Sequence, residues 1–176
     1  MLVSSVEPEL DFVDLVRAAQ SGDRAAFGAI YRRYARMVHG VLLASVSYTN
    51  AEDLVQDVFL KAMHQIGSLR DASAVGGWLA SIARRTATDH HRIQPPVPLS
   101  DRYDARSFQP PDEARAALEA IRQLPLPYRE TLALRLVEGM TGPEIAARTG
   151  MTADSVRVNL CRGMKLLRAA LEGRQS

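Results

Sequence analysis

An all-α protein, built as two small helical domains joined by a proline-rich linker, is what the 176 residues predict. Three observations carry that expectation. Hydrophobic residues make up 47% and charged residues 24%, a folding composition, and the abundance of Ala and Leu with short β-branched runs favours helix. Apolar side chains recur at three- and four-residue spacing through both halves of the chain. Between them, residues 94–111 hold Pro95, Pro96, Pro98, Pro110 and Pro111, five of the nine prolines. That density blocks helix and favours extended chain.

The elements follow in order. A tail covers residues 1–10. Asp11 to Gln20 is a first short helix, ended by Ser21-Gly22-Asp23. Arg24 to Val46 is a second, with Phe27, Ile30, Tyr31, Tyr34, Val38, Val41 and Leu42 on its apolar face. A third runs to about Ile66 with Asn50 as its cap. Gly67 to Val75 is a loop and Trp78 to Arg92 a fourth helix, so the first domain is 11–93. The linker, 94–111, extends to about 55 Å at the polyproline rise. The second domain, 112–172, opens with a helix from Glu113 to Leu124 and another from Tyr128 to Glu138. Thr141 and Glu144 form a capping box for a short helix ending at Thr149-Gly150. Thr152 caps the last helix, and residues 173–176 are a tail.

Several function classes are excluded at this level. No run of about eighteen apolar residues exists to cross a membrane. The first twelve residues carry Glu7, Glu9 and Asp11 and no Lys or Arg, the opposite of a secretory signal, so a cytoplasmic protein is expected. Cys161, alone, excludes an internal disulfide and a cysteine-rich zinc site. Asp89-His90-His91 falls mid-helix, where the two imidazoles point apart, and the four histidines show no metal-ligand spacing. No phosphate-cradling glycine loop is present. No enzyme activity, cofactor or metal is expected.

A short helix, a tight turn at Gly150 and a longer helix are the parts of a DNA-reading helix-turn-helix. Projected at 100° per residue, the last helix places Val156, Leu160, Met164, Leu167 and Leu171 on one face. The opposite face carries Asp154, Ser155, Val158, Arg162 and Lys165, flanked by Arg157, Asn159 and Arg168. Arginine suits guanine edges or phosphate, asparagine suits adenine, and an exposed valine suits a thymine methyl. A stand-alone helix-turn-helix regulator is the alternative that these residues leave open.

The stretch Leu124-Pro125, Tyr128-Arg129-Glu130-Thr131-Leu132, Leu136 to Ala146, Gly150-Met151-Thr152, Ser155-Val156-Arg157, Leu160 to Gly163 and Leu166-Leu167-Arg168 resembles region 4 of bacterial RNA polymerase sigma factors of the sigma-70 family. The resemblance implies that the last helix binds the −35 promoter element and that earlier helices dock on the flap of the polymerase β subunit. By position, the DNA-facing residues are Ser155, Arg157, Val158, Asn159 and Arg162, with Thr152, Lys165 and Arg168 nearer phosphates.

The first domain is similar to sigma region 2. Asp53, Gln56 and Asp57, on the acidic opening of the third helix, are implied to grip the coiled coil of the polymerase β′ subunit. The fourth helix matches regions 2.3 and 2.4 and puts Arg84, Arg85, Thr88, His91 and Arg92 on one side, a composition that suits a phosphate backbone. This helix and the loop Leu69, Arg70, Asp71, Ala72 and Ser73 are implied to engage the −10 element. By position the loop forms a pocket for a flipped base, yet it holds no aromatic residue, so any stacking comes from elsewhere.

Two departures stand out. Where the family often has a bulky residue and then a polar one before the tryptophan, this chain has Val75-Gly76-Gly77, which weakens a helix start and loosens the loop. Gly163 stands in the last helix where alanine is usual, which points to close packing or local softness. The resemblance covers Asp11 to Arg92 and Glu113 to Leu171, with no region 1.1 or folded region 3, which is the plan of the extracytoplasmic-function (ECF) group. It implies core RNA polymerase, promoter DNA and an anti-sigma factor, often membrane-anchored, as partners. The first domain holds ten Lys/Arg against eight Asp/Glu, so weak DNA binding by the free chain is expected.

Overall fold

The computed structural model describes residues 12–93 and 112–173; the proline-rich stretch 94–111, residues 1–11 with the expected helix start at Asp11, and residues 174–176 lie outside the described residues. Every regular element among the described residues is helical.

In the N-terminal half, α1 (Phe12–Gln20), α2 (Arg24–Leu43), α3 (Tyr48–Gln65) and α4 (Val75–Ile93) pack around α2. Asp23 caps α2, its carboxylate accepting from the Ala25 and Ala26 amides at 2.8 and 3.1 Å. Ser47, not Asn50, caps α3: the Asn50 amide donates to Ser47 Oγ. Both residues are good cap formers three positions apart. The helix takes the earlier one because Tyr48 then packs edge-on against His39, with ring centroids 5.3 Å apart. Ile30, Met37, Val38 and Leu42 of α2, Val58 of α3 and Leu79 of α4 are sealed in the core. Each such side chain contributes about 1.5–3 kcal/mol of burial.

Two turns of 3₁₀ helix, Ile66–Ser68 and Ala72–Ala74, join α3 to α4. The glycine pair does not loosen this segment. Gln20 Nε2 donates to the Ile66 and Leu69 carbonyls at 3.0 and 2.7 Å, and Asp71 caps the second turn. α4 begins at Val75, so Gly76 and Gly77 lie in its first turn rather than ahead of it.

In the C-terminal half, α5 (Asp112–Arg122), α6 (Leu126–Leu132), α7 (Gly142–Thr149) and α8 (Ala153–Glu172) follow. Ala120, Ile121, Leu124, Leu132 and Leu167 form a core of this half alone. Gly163 serves close packing there: a Cβ on it would sit 3.1 Å from Leu132 Cδ1. α6 does not run on to Glu138 as a regular helix. It gives way at Ala133–Val137 to a π turn, in which the Glu138 amide reaches back to the Ala133 carbonyl.

The two halves are docked. Leu134, Met140, Ile145 and Val156 belong to the same buried cluster as the α2, α3 and α4 side chains. α2 meets the π turn and α7, and α4 meets α7. Beside the cluster private to the C-terminal half, a second core is thus shared between the halves. Of these four residues Val156 reads as a core position from the sequence, and periodicity cannot say which partner an apolar face meets.

Candidate nucleic-acid interface

The helix-turn-helix is built as the local sequence dictates. Thr141 Oγ1 accepts from the Glu144 amide, while Glu144 Oε2 accepts from the Thr141 amide at 2.8 Å. The Thr141 amide, foremost, and the Thr141 hydroxyl, which also donates to Oε2 at 2.8 Å, hold the Glu144 carboxyl below its ordinary range. Gly150 ends α7 with φ of 76°, a left-handed conformation that glycine adopts without strain. Thr152 then caps α8, accepting from the Ser155 amide at 3.1 Å.

The projected faces of α8 are reproduced. Val156 and Leu167 are buried and Leu160, Met164 and Leu171 half-buried. Thr152, Ser155, Arg157, Val158, Arg162, Lys165 and Arg168 are exposed, and Asn159 is half-buried at the edge. Ser155 Oγ accepts from Thr152 Oγ1 at 2.8 Å, and Arg157 lies 3.3 Å from Asp154. Cys161 is exposed beside this face.

On α4, Arg85, Thr88, His91 and Arg92 are exposed. Thr88 Oγ1 donates to the Arg84 carbonyl and His91 Nε2 to the Ser45 carbonyl, at 2.9 and 2.7 Å. Arg92 sits 3.8 Å from Asp89. Arg84 is different. Its Nε and Nη2 donate to both carboxylate oxygens of Glu130, at 2.9 and 2.7 Å, and Glu130 is only 4% exposed. That bond raises the guanidinium pKa further, so Arg84 is cationic throughout the working pH range.

In the preceding loop, Arg70, Asp71 and Ser73 are exposed, Leu69 is half-buried and the Ala72 side chain is turned into the core. Asp71 Oδ1 accepts from the Ser73 amide and hydroxyl at 2.9 and 2.6 Å, which holds its carboxyl below the usual range. The loop surface therefore carries a fixed anion beside the exposed Arg70, and it offers backbone and hydroxyl groups rather than a stacking ring.

Asp53, Gln56 and Asp57 are exposed on one side of α3. The same stripe continues through Leu60 and Met63, which are 54% and 46% exposed. Spacings of three and four put these residues in one row. Sequence reading missed this apolar continuation, although Leu60 and Met63 fall off the buried Leu54, Val58, Ala62 stripe and could have been found that way. It missed Glu130 and Glu138 as well. Both are buried acids at the seam between the halves: Glu138 Oε1 lies 2.5 Å from His39 Nδ1, and its carbonyl accepts from Arg36. Among the described residues, no three His, Cys, Asp or Glu side chains gather to hold a metal ion, and no helix is long and apolar enough to cross a membrane.

Comparison with known proteins places both halves. Residues 30–94 match the family model for Sigma-70 region 2, and residues 114–167 match that for Sigma-70, region 4. The chain is 30% identical over 172 residues to the ECF RNA polymerase sigma-E factor of Haemophilus influenzae, covering 87% of this chain and 91% of the relative. It is 29% identical over 168 residues to the ECF RNA polymerase sigma factor BldN of Streptomyces coelicolor, covering 88% of this chain but 64% of that longer protein. Among solved structures, CnrH in complex with the cytosolic domain of CnrY matches with a TM-score of 0.63 and 25% identity, over 92% of this chain and 97% of that one. The chain thus belongs to the sigma-70 family, as a non-enzymatic ECF sigma factor made of regions 2 and 4.

Proposed function

We propose that this sigma factor binds core RNA polymerase through the α3 row, brings it to promoters through α8, and helps open the −10 element through α4 and the loop before it. The observation that carries the reading is the α8 face. Seven of its eight assigned residues are exposed on the side opposite a buried apolar stripe, at the position where a helix-turn-helix presents its reading helix. Arg157, Val158, Asn159 and Arg162 are the base-edge readers in this reading, and Thr152, Lys165 and Arg168 contact phosphates.

Asp53, Gln56 and Asp57 form the polymerase grip against cationic side chains of the β′ coiled coil, and Leu60 and Met63 extend it with apolar contact. The β flap is met by helices of region 4. Arg85, Thr88, His91 and Arg92 track the −10 backbone, with Arg84 joining them once it leaves Glu130. Leu69, Arg70, Asp71, Ala72 and Ser73 form the rim of the base pocket, largely through their backbone. The functional domains are 11–93 and 112–172, working in the cytoplasm, with 94–111 as the tether. An anti-sigma protein, membrane-anchored or free, restrains the factor; the similar CnrH was solved in complex with a protein partner, the cytosolic domain of CnrY.

Promoter-dependent transcription with reconstituted polymerase tests the reading. The intact chain supports initiation. Asp53→Ala with Gln56→Ala abolishes polymerase capture, and Arg162→Ala loses about 1–3 kcal/mol of promoter preference while capture persists. Initiation that survives all three substitutions would refute the assignment.

A further inference from the structure

Helix α1 carries none of the residues assigned to polymerase or promoter, yet it packs on both 3₁₀ turns that frame the −10 loop. Its own position is fixed. Val16 and Ala19 are buried in the core shared with α2, and the amides of Ser21, Gly22 and Asp23 turn back to carbonyls of its last turn. Gln20 ends the helix, and its half-buried side chain reaches out of α1. Its Nε2 donates to the Ile66 carbonyl at 3.0 Å and to the Leu69 carbonyl at 2.7 Å. Both partners are carbonyl oxygens, so the amide faces them with its nitrogen, and both of its N–H groups are used.

Those carbonyls stand where the chain leaves the first 3₁₀ turn and enters the loop. The Ile66 carbonyl also accepts the Leu69 amide, at 3.1 Å. The Leu69 carbonyl has Gln20 as its hydrogen-bond partner among the described residues. Without that donor a half-buried carbonyl turns toward water to be satisfied. The peptide is planar, so the Arg70 amide turns with it. The other fixed points are internal to the loop: Ala72 is buried, and Asp71 Oδ1 accepts from the Ser73 amide and hydroxyl. Gln20 ties the loop from another helix, 49 residues before Leu69.

Stability alone does not call for this tie. α1 is already held to α2 by buried apolar side chains and by the backbone turn that follows it. The loop, however, has no ring on which a flipped base could stack, so its backbone and short polar groups must hold the base. Hydrogen bonds to a base edge form only within a narrow range of distance and angle. Flipping a base costs stacking energy, and ordering a loose loop at the same moment would add to that cost. A loop ordered in advance avoids the addition.

Resting on the −10 reading above, we propose that Gln20 is a positioning residue of the −10 base pocket. Its amide sets the Leu69 peptide and, through it, the Arg70 backbone that faces the base. Helix α1 thus takes part in promoter opening without touching DNA.

The test uses holoenzyme reconstituted from core polymerase and the full chain. The probe is fork DNA, duplex through the −35 element and single-stranded across −10, with each base of the exposed strand replaced in turn by an abasic site. The parent loses affinity sharply at one abasic position, the base that the loop takes. Gln20→Glu keeps the size and removes both donors, and Gln20→Ala removes the side chain. Each lowers the intact-to-abasic affinity ratio at that position about tenfold. Gln20→Lys, a donor of similar reach, keeps most of the ratio. Polymerase capture and −35 duplex binding stay as in the parent, which a general loss of fold would not allow. In the free chain, the Leu69 and Ser73 amides, bonded at 3.1 and 2.9 Å, exchange about tenfold faster in the two donor-less variants than in the parent and Gln20→Lys. Unchanged ratios in the donor-less variants overturn the positioning role. So does a Gln20→Lys variant as poor as Gln20→Ala, or an equal loss of capture, −35 binding and −10 binding. A parent with no sensitive abasic position refutes the base-pocket reading instead. Amide exchange then still decides whether Gln20 sets the loop, and unaltered exchange overturns that as well.

Discussion

The later turns of α8 rest on a core that belongs to their own region, whereas its first turns, through Val156, and the arginine face of α4 rest on one shared between regions. Beneath α8, Leu132 and Leu167 close with Ala120, Ile121 and Leu124 into a cluster containing nothing from residues 12–93. Beneath α4, Leu79, Ile82 and Ala83 join a cluster that also contains Leu134, Met140 and Ile145. Similar cationic chemistry thus sits on supports of different reach. The cationic face of α8 is supported partly within region 4 and partly, at Val156, by the shared cluster, while that of α4 is coupled throughout to where region 4 lies. One arginine of the α4 face is held by a region 4 carboxylate; the α8 cations have no partner of that kind described in region 2.

The largest separation between the two supports should come from neighbouring leucines of one segment. Leu132 and Leu134 are both fully buried, but Leu132 points into the private cluster and Leu134 into the shared one. Leu132→Ala should cost about 2–5 kcal/mol, read as loss of region 4 helix in thermal unfolding followed by circular dichroism. Leu134→Ala should cost less and show itself as a longer interdomain distance, because the halves can part instead of holding a cavity. Equal destabilisation with unchanged shape would break the contrast.

A smaller effect belongs to the Arg84–Glu130 pair. Removing Arg84 leaves a buried carboxylate with no cation, and breaking a fully buried pair costs about 3–5 kcal/mol. Arg84 is 41% exposed, so water already screens part of the interaction and about 2 kcal/mol is expected for Arg84→Ala. A double-mutant cycle with Glu130→Ala, measured by urea unfolding, should return most of that as coupling. Coupling below about 0.5 kcal/mol would place the pair with ordinary surface ion pairs.

What the sequence disclosed and what it hid divide along the same line. The Thr141–Glu144 box, the Gly150 turn, the Thr152 cap and the two faces of α8 were legible because each depends on residues within a turn or two of one another. The exposed α3 acids were legible for the same reason. The cap of α3 was misplaced by one turn because Ser47 and Asn50 offer the same chemistry, and the choice is made by Tyr48 meeting His39 in another helix. The glycine pair was visible as an oddity but not as a notch, since the group it admits is the Arg148 carbonyl, far along the chain. The alignment of Glu130 with Glu138 was beyond reach, because it depends on a π turn that no local residue pattern announces.

The smallest effect concerns α7, which touches both supports: it packs on α8 and fits the Gly76 notch of α4. Its first turn is fastened by Glu144, whose carboxyl is held below the ordinary glutamate range by the Thr141 amide and hydroxyl. A depressed folded-state pKa means that the ionised form favours folding. That contribution is complete above the unfolded glutamate value and is lost as pH falls through the lower folded value. Glu144→Gln keeps an acceptor for the cap but removes the charge. Thermal unfolding of this variant against the parent should show a small deficit at neutral pH that closes on acidification through the carboxylate range. A deficit that persists in acid would assign the fastening to shape rather than charge. Because α7 meets both supports, the same variant should leave α8 helical while loosening the fit at Gly76, so the interdomain distance should respond before the helix content does.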